Sequence, residues 1–169
     1  LSPRPDPLER SMKARKILRL PTYDYSQNGV YFITICTEKK QKCLADVRRG
    51  GVLPRPAGRV AEKEILALAD RYDVHIDKYV IMPNHVHILM TLQRAGQSPA
   101  PTPDLSAIVG AFKSLSTKAI NKLDAAPGRK FWQRSYYDHV IRNEADYLRA
   151  WQYIDDNPAH WAEDEYYSE

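Results

Sequence analysis

Residues 74–92 read VHIDKYVIMPNHVHILMTL, two β-branched apolar runs joined by Met82-Pro83-Asn84. Pro83 cannot donate a backbone hydrogen bond and Asn84 tolerates turn geometry, so the chain is expected to reverse there. A hairpin is marginal alone and needs other elements to cover its apolar face. Alternation divides its second strand. His85, His87 and Leu89 share one face, and Val86, Ile88 and Met90 share the other. The second set belongs in a core. The first sets two imidazoles about 7 Å apart along the strand on the opposite face. An H-x-H pair there is either a hydrogen-bonded surface pair or two ligands of one divalent ion with positions left open. No cluster supplies the four Cys/His ligands of structural zinc.

The rest of the chain supplies partners for the hairpin. Val30 to Thr37, after Asn28-Gly29, is β-branched and aromatic and predicts a strand. Residues 38–57, with Gly50-Gly51, Pro54 and Pro56, read as loop. From Gly58 the spacing of Val60, Ile65, Leu68 and Ala69, with Ala61 and Tyr72, predicts a helix. Residues 95–104 are a Pro-rich linker, and Asp104 or Ser106 caps a helix whose apolar positions are Leu105, Ile108, Phe112, Leu115 and Ile120. A fourth strand is expected in KFWQRSYYDHVI. Asn143 caps a last helix running through Asp156, with Pro158 beyond it. The order is β-α-β-β-α-β plus a helix. This is an α+β, ferredoxin-like antiparallel sheet with two helices on one face. The added helix 143–157 is the candidate cover for the other.

That last helix carries the second group of candidates. Tyr153 and Asn157 are four residues apart and share a face, with Leu148, Trp151 and Ile154 available for packing. A tyrosine hydroxyl can attack a phosphodiester and form a covalent intermediate. An amide oxygen from Asn157 is a hard neutral ligand suited to Mg²⁺ or Mn²⁺. Each has a plain alternative: Tyr153 as a packing tyrosine among 11, and Asn157 as a helix C-cap before Pro158. Tyr147 is the rival nucleophile, and one of Tyr136 and Tyr137 can face the site or stack on bases. A free phenol ionises near pH 10, so a base or cation is needed, and His139 is the candidate base.

Charge points to a polyanionic partner. The chain has a net charge of +4 and a pI of about 9.0. Residues 1–20 form a basic extended arm with Arg10, Lys13, Arg15, Lys16 and Arg19, suited to a nucleic-acid backbone. Tyr23 and Tyr25 are placed to stack on exposed bases. Lys113 touches phosphate or is a solvated helix lysine; Arg134 contacts DNA or forms an internal salt bridge. Residues 161–169 are an acidic tail, either solvating or lying as a gate over the basic cleft. Cys36 and Cys43 make no disulfide framework. No run of 18 apolar residues or apolar leader occurs, so neither a membrane nor export is expected.

At this point the residues resemble a known family. His85-Val86-His87 in PNHVHILM matches the HUH motif of single-tyrosine transposases, and YLRAWQYIDDNP resembles their tyrosine helix. TYDYSQNGVYFITICT, AFKSLSTKAIN and FWQRSYYDHVIRNEADYL are most similar to the REP-associated tyrosine transposases. The likeness covers about 15 to 160, so the domain is taken as 21–160. It implies that His85, His87 and Asn157 hold Mg²⁺ or Mn²⁺ and that Tyr153 is the nucleophile. It also implies cleavage of single-stranded or hairpin DNA through a 5′-phosphotyrosine, in the cytoplasm at the nucleoid, by a monomer or homodimer. No small-molecule substrate is expected. The competing expectations are a non-catalytic RRM-like nucleic-acid-binding module, with aromatic residues 131–137 as its platform, and a zinc-dependent hydrolase.

Overall fold

The computed structural model describes residues 29–49, 51–92 and 103–167. The expectations for Arg10, Lys13, Arg15, Lys16, Arg19, Tyr23 and Tyr25, and most of the linker, lie outside the described residues. The elements are β1 (Gly29–Cys36), β2 (Ala45–Arg48), β3 (Gly51–Pro54), α1 (Pro56–Arg71), β4 (Val74–Ile81), β5 (His85–Leu92), α2 (Leu105–Leu123), β6 (Tyr137–Ile141) and α3 (Glu144–Asp156). The four long-range strands form one sheet in the order β4-β5-β1-β6, with every pairing antiparallel. This is the ferredoxin-like arrangement expected from the element order.

The hairpin 74–92 is present, with β4 and β5 paired from Val74↔Leu92 to Ile81↔Val86. Alternation sorts β5 as its pattern requires. Val86, Ile88 and Met90 join the main core with Ile33, Ile35, Ile65, Ile108 and Phe112, under α1 and α2. Leu89 lies on the other side, with Phe32, Tyr137, Ala150 and Ile154. So α3 covers the second face, and the sheet is sandwiched between two helical layers. Asp104 and Asn143 cap α2 and α3, accepting from the backbone N–H of Ala107 and Asp146 at 2.8 Å each.

Several expectations need correction. The stretch 38–57 is no plain loop: it holds the short β2–β3 hairpin. Arg55 clamps that hairpin to Asp46 at 2.6 Å. Helix α1 begins earlier than Gly58, with Pro56 in its first turn, where a missing N–H costs nothing. Gly58 sits so close to Leu44 that an added Cβ would lie 2.1 Å from its carbonyl oxygen, so only glycine lets the helix dock there. Ala69 is exposed and not on the buried face; Leu115 and Leu148 are also exposed, at 38% and 58%. The fourth strand is confined to Tyr137–Ile141. Upstream of it Phe131 and Trp132 are core residues, and the Trp132 indole N–H donates to Ser116 Oγ at 2.8 Å. No helix among the described residues is long and apolar enough to cross a membrane.

Candidate active site

The two imidazoles of β5 are completely buried and meet at their Nε2 atoms, 3.0 Å apart. Each is held from behind. His87 Nδ1 lies 2.8 Å from Thr34 Oγ1, its register partner on β1. His85 Nδ1 lies 2.8 Å from Asn84 Oδ1. The Asn84 amide has one consistent orientation, because its Nδ2 donates to the carbonyls of Tyr166 at 2.7 Å and Lys40 at 3.4 Å. Its oxygen therefore faces His85, and an amide oxygen can only accept. So His85 Nδ1 carries the proton, and in the neutral ring Nε2 presents a lone pair to His87.

Neutral rings are what this environment favours. Burial, reinforced by the neighbouring His87, holds His85 well below the usual imidazole range, although the Asn157 side chain favours the charged form. Burial alone lowers His87 from 6.5 to about 3. The sign follows directly. In the unfolded chain each imidazole takes a proton near 6.5, whereas the folded protein resists it. The metal-free protein is therefore expected to lose stability as pH falls from 6.5 toward about 3. Each imidazole that stays neutral in the fold but takes a proton in the unfolded chain adds to that loss. Urea midpoints at stepped pH, compared with His87→Phe, check this; equal slopes would remove His87 as a cause.

Something must lie between the two Nε2 atoms. It is either a proton on His87, with Thr34 donating to its Nδ1, or a cation accepting both lone pairs. The two facing Nε2 atoms are the nitrogen donors that would hold such a cation. Ligating imidazoles characteristically donate their other N–H to an oxygen, as His85 does to Asn84.

Helix α3 brings the remaining groups. Tyr153 lies edge-on to His87, ring centroids 5.3 Å apart at 69°, and against Phe32 at 5.7 Å. Three contacts fix the helix to β4: Tyr147 Oη donates to Asp77 at 2.9 Å, Lys78 pairs with Asp155, and the Lys78 ammonium lies 4.4 Å from the Trp151 ring centroid. Tyr153 and the histidines thus meet within one chain. Asn157 is buried; its Nδ2 donates to Asp164 at 2.7 Å, while its Oδ1 completes no hydrogen bond of good geometry.

The rival candidates are engaged elsewhere. The Tyr147 hydroxyl is committed to Asp77, and burial with that carboxylate raises it to about 12. Tyr137 is buried under α3, while Tyr136 packs against the main core. His139 lies 3.5 Å from Asp146 in the first turn of α3. Tyr153 is seven residues further along, about 10 Å of helix rise, so the carboxylate that His139 faces belongs to the other end of the helix. Lys113 spends its ammonium on the carbonyls of Gln133, Arg134 and Ser135, at 2.7, 3.2 and 2.9 Å. Burial lowers it to about 8. It holds the segment leading into β6, and the exposed Arg134 is carried on that segment. Cys36, opposite His85 in the sheet, is raised to about 12 by burial and offers a neutral thiol.

Sequence reasoning missed three residues at the site, all in the acidic tail. Residues 161–167 do not trail into solvent; they fold back over the histidines. The Tyr166 ring covers His85 at 4.6 Å and reaches His87 at 6.0 Å. Trp161 flanks His85 at 5.9 Å. Asp164 turns its carboxylate inward, and ligand atoms of His85, His87 and Asp164 all lie within 4.8 Å of one another. Among the described residues, 161–167 pack against the histidine pair and are not held out in solvent. Two lysines meet the aromatic rings of this segment: Lys40 lies 5.8 Å from the Tyr166 ring centroid and Lys42 5.8 Å from that of Tyr167.

With this geometry established, known proteins supply context. The profile of a family described as transposase IS200-like matches residues 27–157. An uncharacterised protein of Haemophilus influenzae is 31% identical, over 90% of this chain and 93% of its own length. A REP-associated tyrosine transposase of Escherichia coli is 26% identical, over 79% of this chain and 68% of its own length. Among solved structures, a REP-associated tyrosine transposase bound to a REP hairpin superposes with a TM-score of 0.62. It has 21% identity, covering 85% of this chain and 74% of that one.

Proposed function

The chain belongs to the IS200-like transposase family, and we propose that it cuts and rejoins single-stranded DNA beside hairpins through a 5′-phosphotyrosine on Tyr153. The observation that carries this is the approach of Tyr153 to His87, with ring centroids 5.3 Å apart on one buried face of the sheet. His85, His87 and Asn157 would hold a Mg²⁺ or Mn²⁺ ion. The facing Nε2 atoms and the buried Asn157 Oδ1, which completes no hydrogen bond of good geometry, fit such an ion. When bound, a divalent cation supplies charge neutralisation at a scissile phosphate. DNA as the partner is supported by a structural neighbour that holds a REP hairpin.

The residues then have defined tasks. The Tyr153 oxygen attacks phosphorus in line, the P–O3′ bond breaks, and the departing 3′ oxygen takes up a proton as the phenol loses one. The phosphotyrosine keeps the energy of the broken linkage, so an incoming 3′-OH reverses the step without an energy cofactor. Asn84 and Thr34 fix the ring orientations. Tyr147, Lys78 and Trp151 hold the tyrosine helix in place. The segment 161–167 must withdraw before a phosphate can reach the imidazoles.

A labelled hairpin incubated with the protein and Mn²⁺ tests the scheme. A covalent protein–DNA band is expected, while a merely shifted band would signify binding without chemistry. A cleaved product with no adduct would point to hydrolysis by water, which the His85, His87 and Asp164 set keeps in contention. The RRM-like alternative is weakened because Phe131 and Trp132, half of its aromatic platform, are only 6% and 3% exposed. EDTA, His85→Ala and His87→Ala are each expected to abolish the band at neutral pH. Adduct that persists in chelator would contradict the metal site.

A further inference from the structure

The Asp164 carboxylate joins the two imidazoles from a segment outside both β5 and α3. It arrives from the folded-back segment, and its two oxygens are fixed: Oδ2 accepts from Asn157 Nδ2 at 2.7 Å, and Oδ1 accepts from the backbone N–H of Tyr166 at 2.7 Å. These bonds leave lone pairs on both oxygens. The carboxylate lies within the same 4.8 Å set as the two imidazoles. Beside it, Asn157 Oδ1 is a buried acceptor without a hydrogen bond of good geometry. Two neutral nitrogens, one amide oxygen and one carboxylate are a mixed donor set suited to a divalent ion.

We propose that Asp164 is a further ligand of the cation held by His85 and His87, so that metal binding and closure of segment 161–167 stabilise each other. The inference rests on the metal reading of this site and adds a ligand from outside the sheet and the tyrosine helix. Two consequences follow from one coupling. The closed segment raises the affinity for the ion, and by thermodynamic reciprocity the ion favours the closed segment by the same factor. The carboxylate also offsets charge at a site whose other donors are neutral. A DNA phosphate arriving at the ion then replaces an anion already there, so ligand exchange accompanies opening.

The test uses the full chain without DNA and reads binding, not cleavage. Mn²⁺ is titrated into wild type, Asp164→Asn and His87→Ala, with free Mn²⁺ followed by electron paramagnetic resonance. In parallel, amide hydrogen exchange of residues 161–167 is measured with and without Mn²⁺. Asp164→Asn is expected to weaken Mn²⁺ binding on the order of 10-fold, and His87→Ala to abolish it. Mn²⁺ should slow exchange across 161–167 in wild type and not in Asp164→Asn. If Asp164→Asn binds Mn²⁺ as wild type does while His87→Ala does not, the Asp164 assignment is wrong and the histidine site stands. If Mn²⁺ binds but leaves exchange across 161–167 unchanged in wild type, the coupling is refuted. If wild type fails to bind Mn²⁺, or His87→Ala binds equally well, the metal reading fails and the inference with it.

Discussion

Tyr153→Phe is expected to remove covalent adduct formation, by a factor on the order of 10³ or more, while hairpin affinity stays within about twofold. The substitution deletes one oxygen and keeps the ring that packs edge-on to Phe32 and His87, so helix α3 should hold its position. The companion variant makes the experiment discriminating. Tyr166 is the other tyrosine at the imidazoles, closer to His85 than Tyr153 is to His87 by ring centroids. Burial is the largest influence holding its phenol well above the ordinary tyrosine range, which disfavours the phenolate. It also belongs to the segment that must withdraw. Tyr166→Phe should therefore form adduct at least as fast as wild type. Loss of adduct in Tyr166→Phe with retention in Tyr153→Phe would exchange the two roles and overturn the assignment.

The second large effect concerns the cover. A chain ending at His160 lacks the Tyr166 ring and the Asp164 carboxylate that occupy the approach to the histidines. The fraction of open molecules limits the apparent activity of the covered form. A closed state favoured by about 1.4 kcal/mol leaves roughly one molecule in ten open, so truncation should raise the initial rate of adduct formation about 10-fold. The comparison is made at saturating Mn²⁺, so that loss of the Asp164 carboxylate does not mask the gain. Tyr166→Ala in the full chain should move in the same direction by a smaller factor. A truncated chain that is folded by circular dichroism yet slower than wild type would mean that the segment builds the site and does not cover it.

What was legible in the sequence is what local periodicity encodes. Alternation along β5 puts His85 and His87 on the face opposite Val86, Ile88 and Met90, and the two buried clusters obey it. Asn143 and Asp104 announce helix starts through cap chemistry that acts over three residues. The misses have a different cause. The β2–β3 hairpin has four-residue strands and ends at Pro54, so its composition signals a loop; Arg55–Asp46 pairing and the Gly58 contact with Leu44 hold it. The aromatic stretch at 131–132 promises a strand but is taken by the core through Ser116 on α2. Tyr166 and Asp164 reach the site through contacts with Asn84 and Asn157, the first spanning 82 residues of sequence. No periodicity carries such information, and the charge of the tail argued against its place over a DNA-binding site.

The most direct measurement of the central claim is where the DNA becomes attached. A hairpin carrying its flanking bases is incubated with the full-length protein and Mn²⁺, the adduct is digested with trypsin and nuclease, and the modified peptide is sequenced by mass spectrometry. The account predicts a nucleotide 5′-phosphate on Tyr153, beside the histidine pair that its ring adjoins. A phosphate found on Tyr166 or Tyr147, or DNA cut to completion with no modified peptide at all, would contradict it.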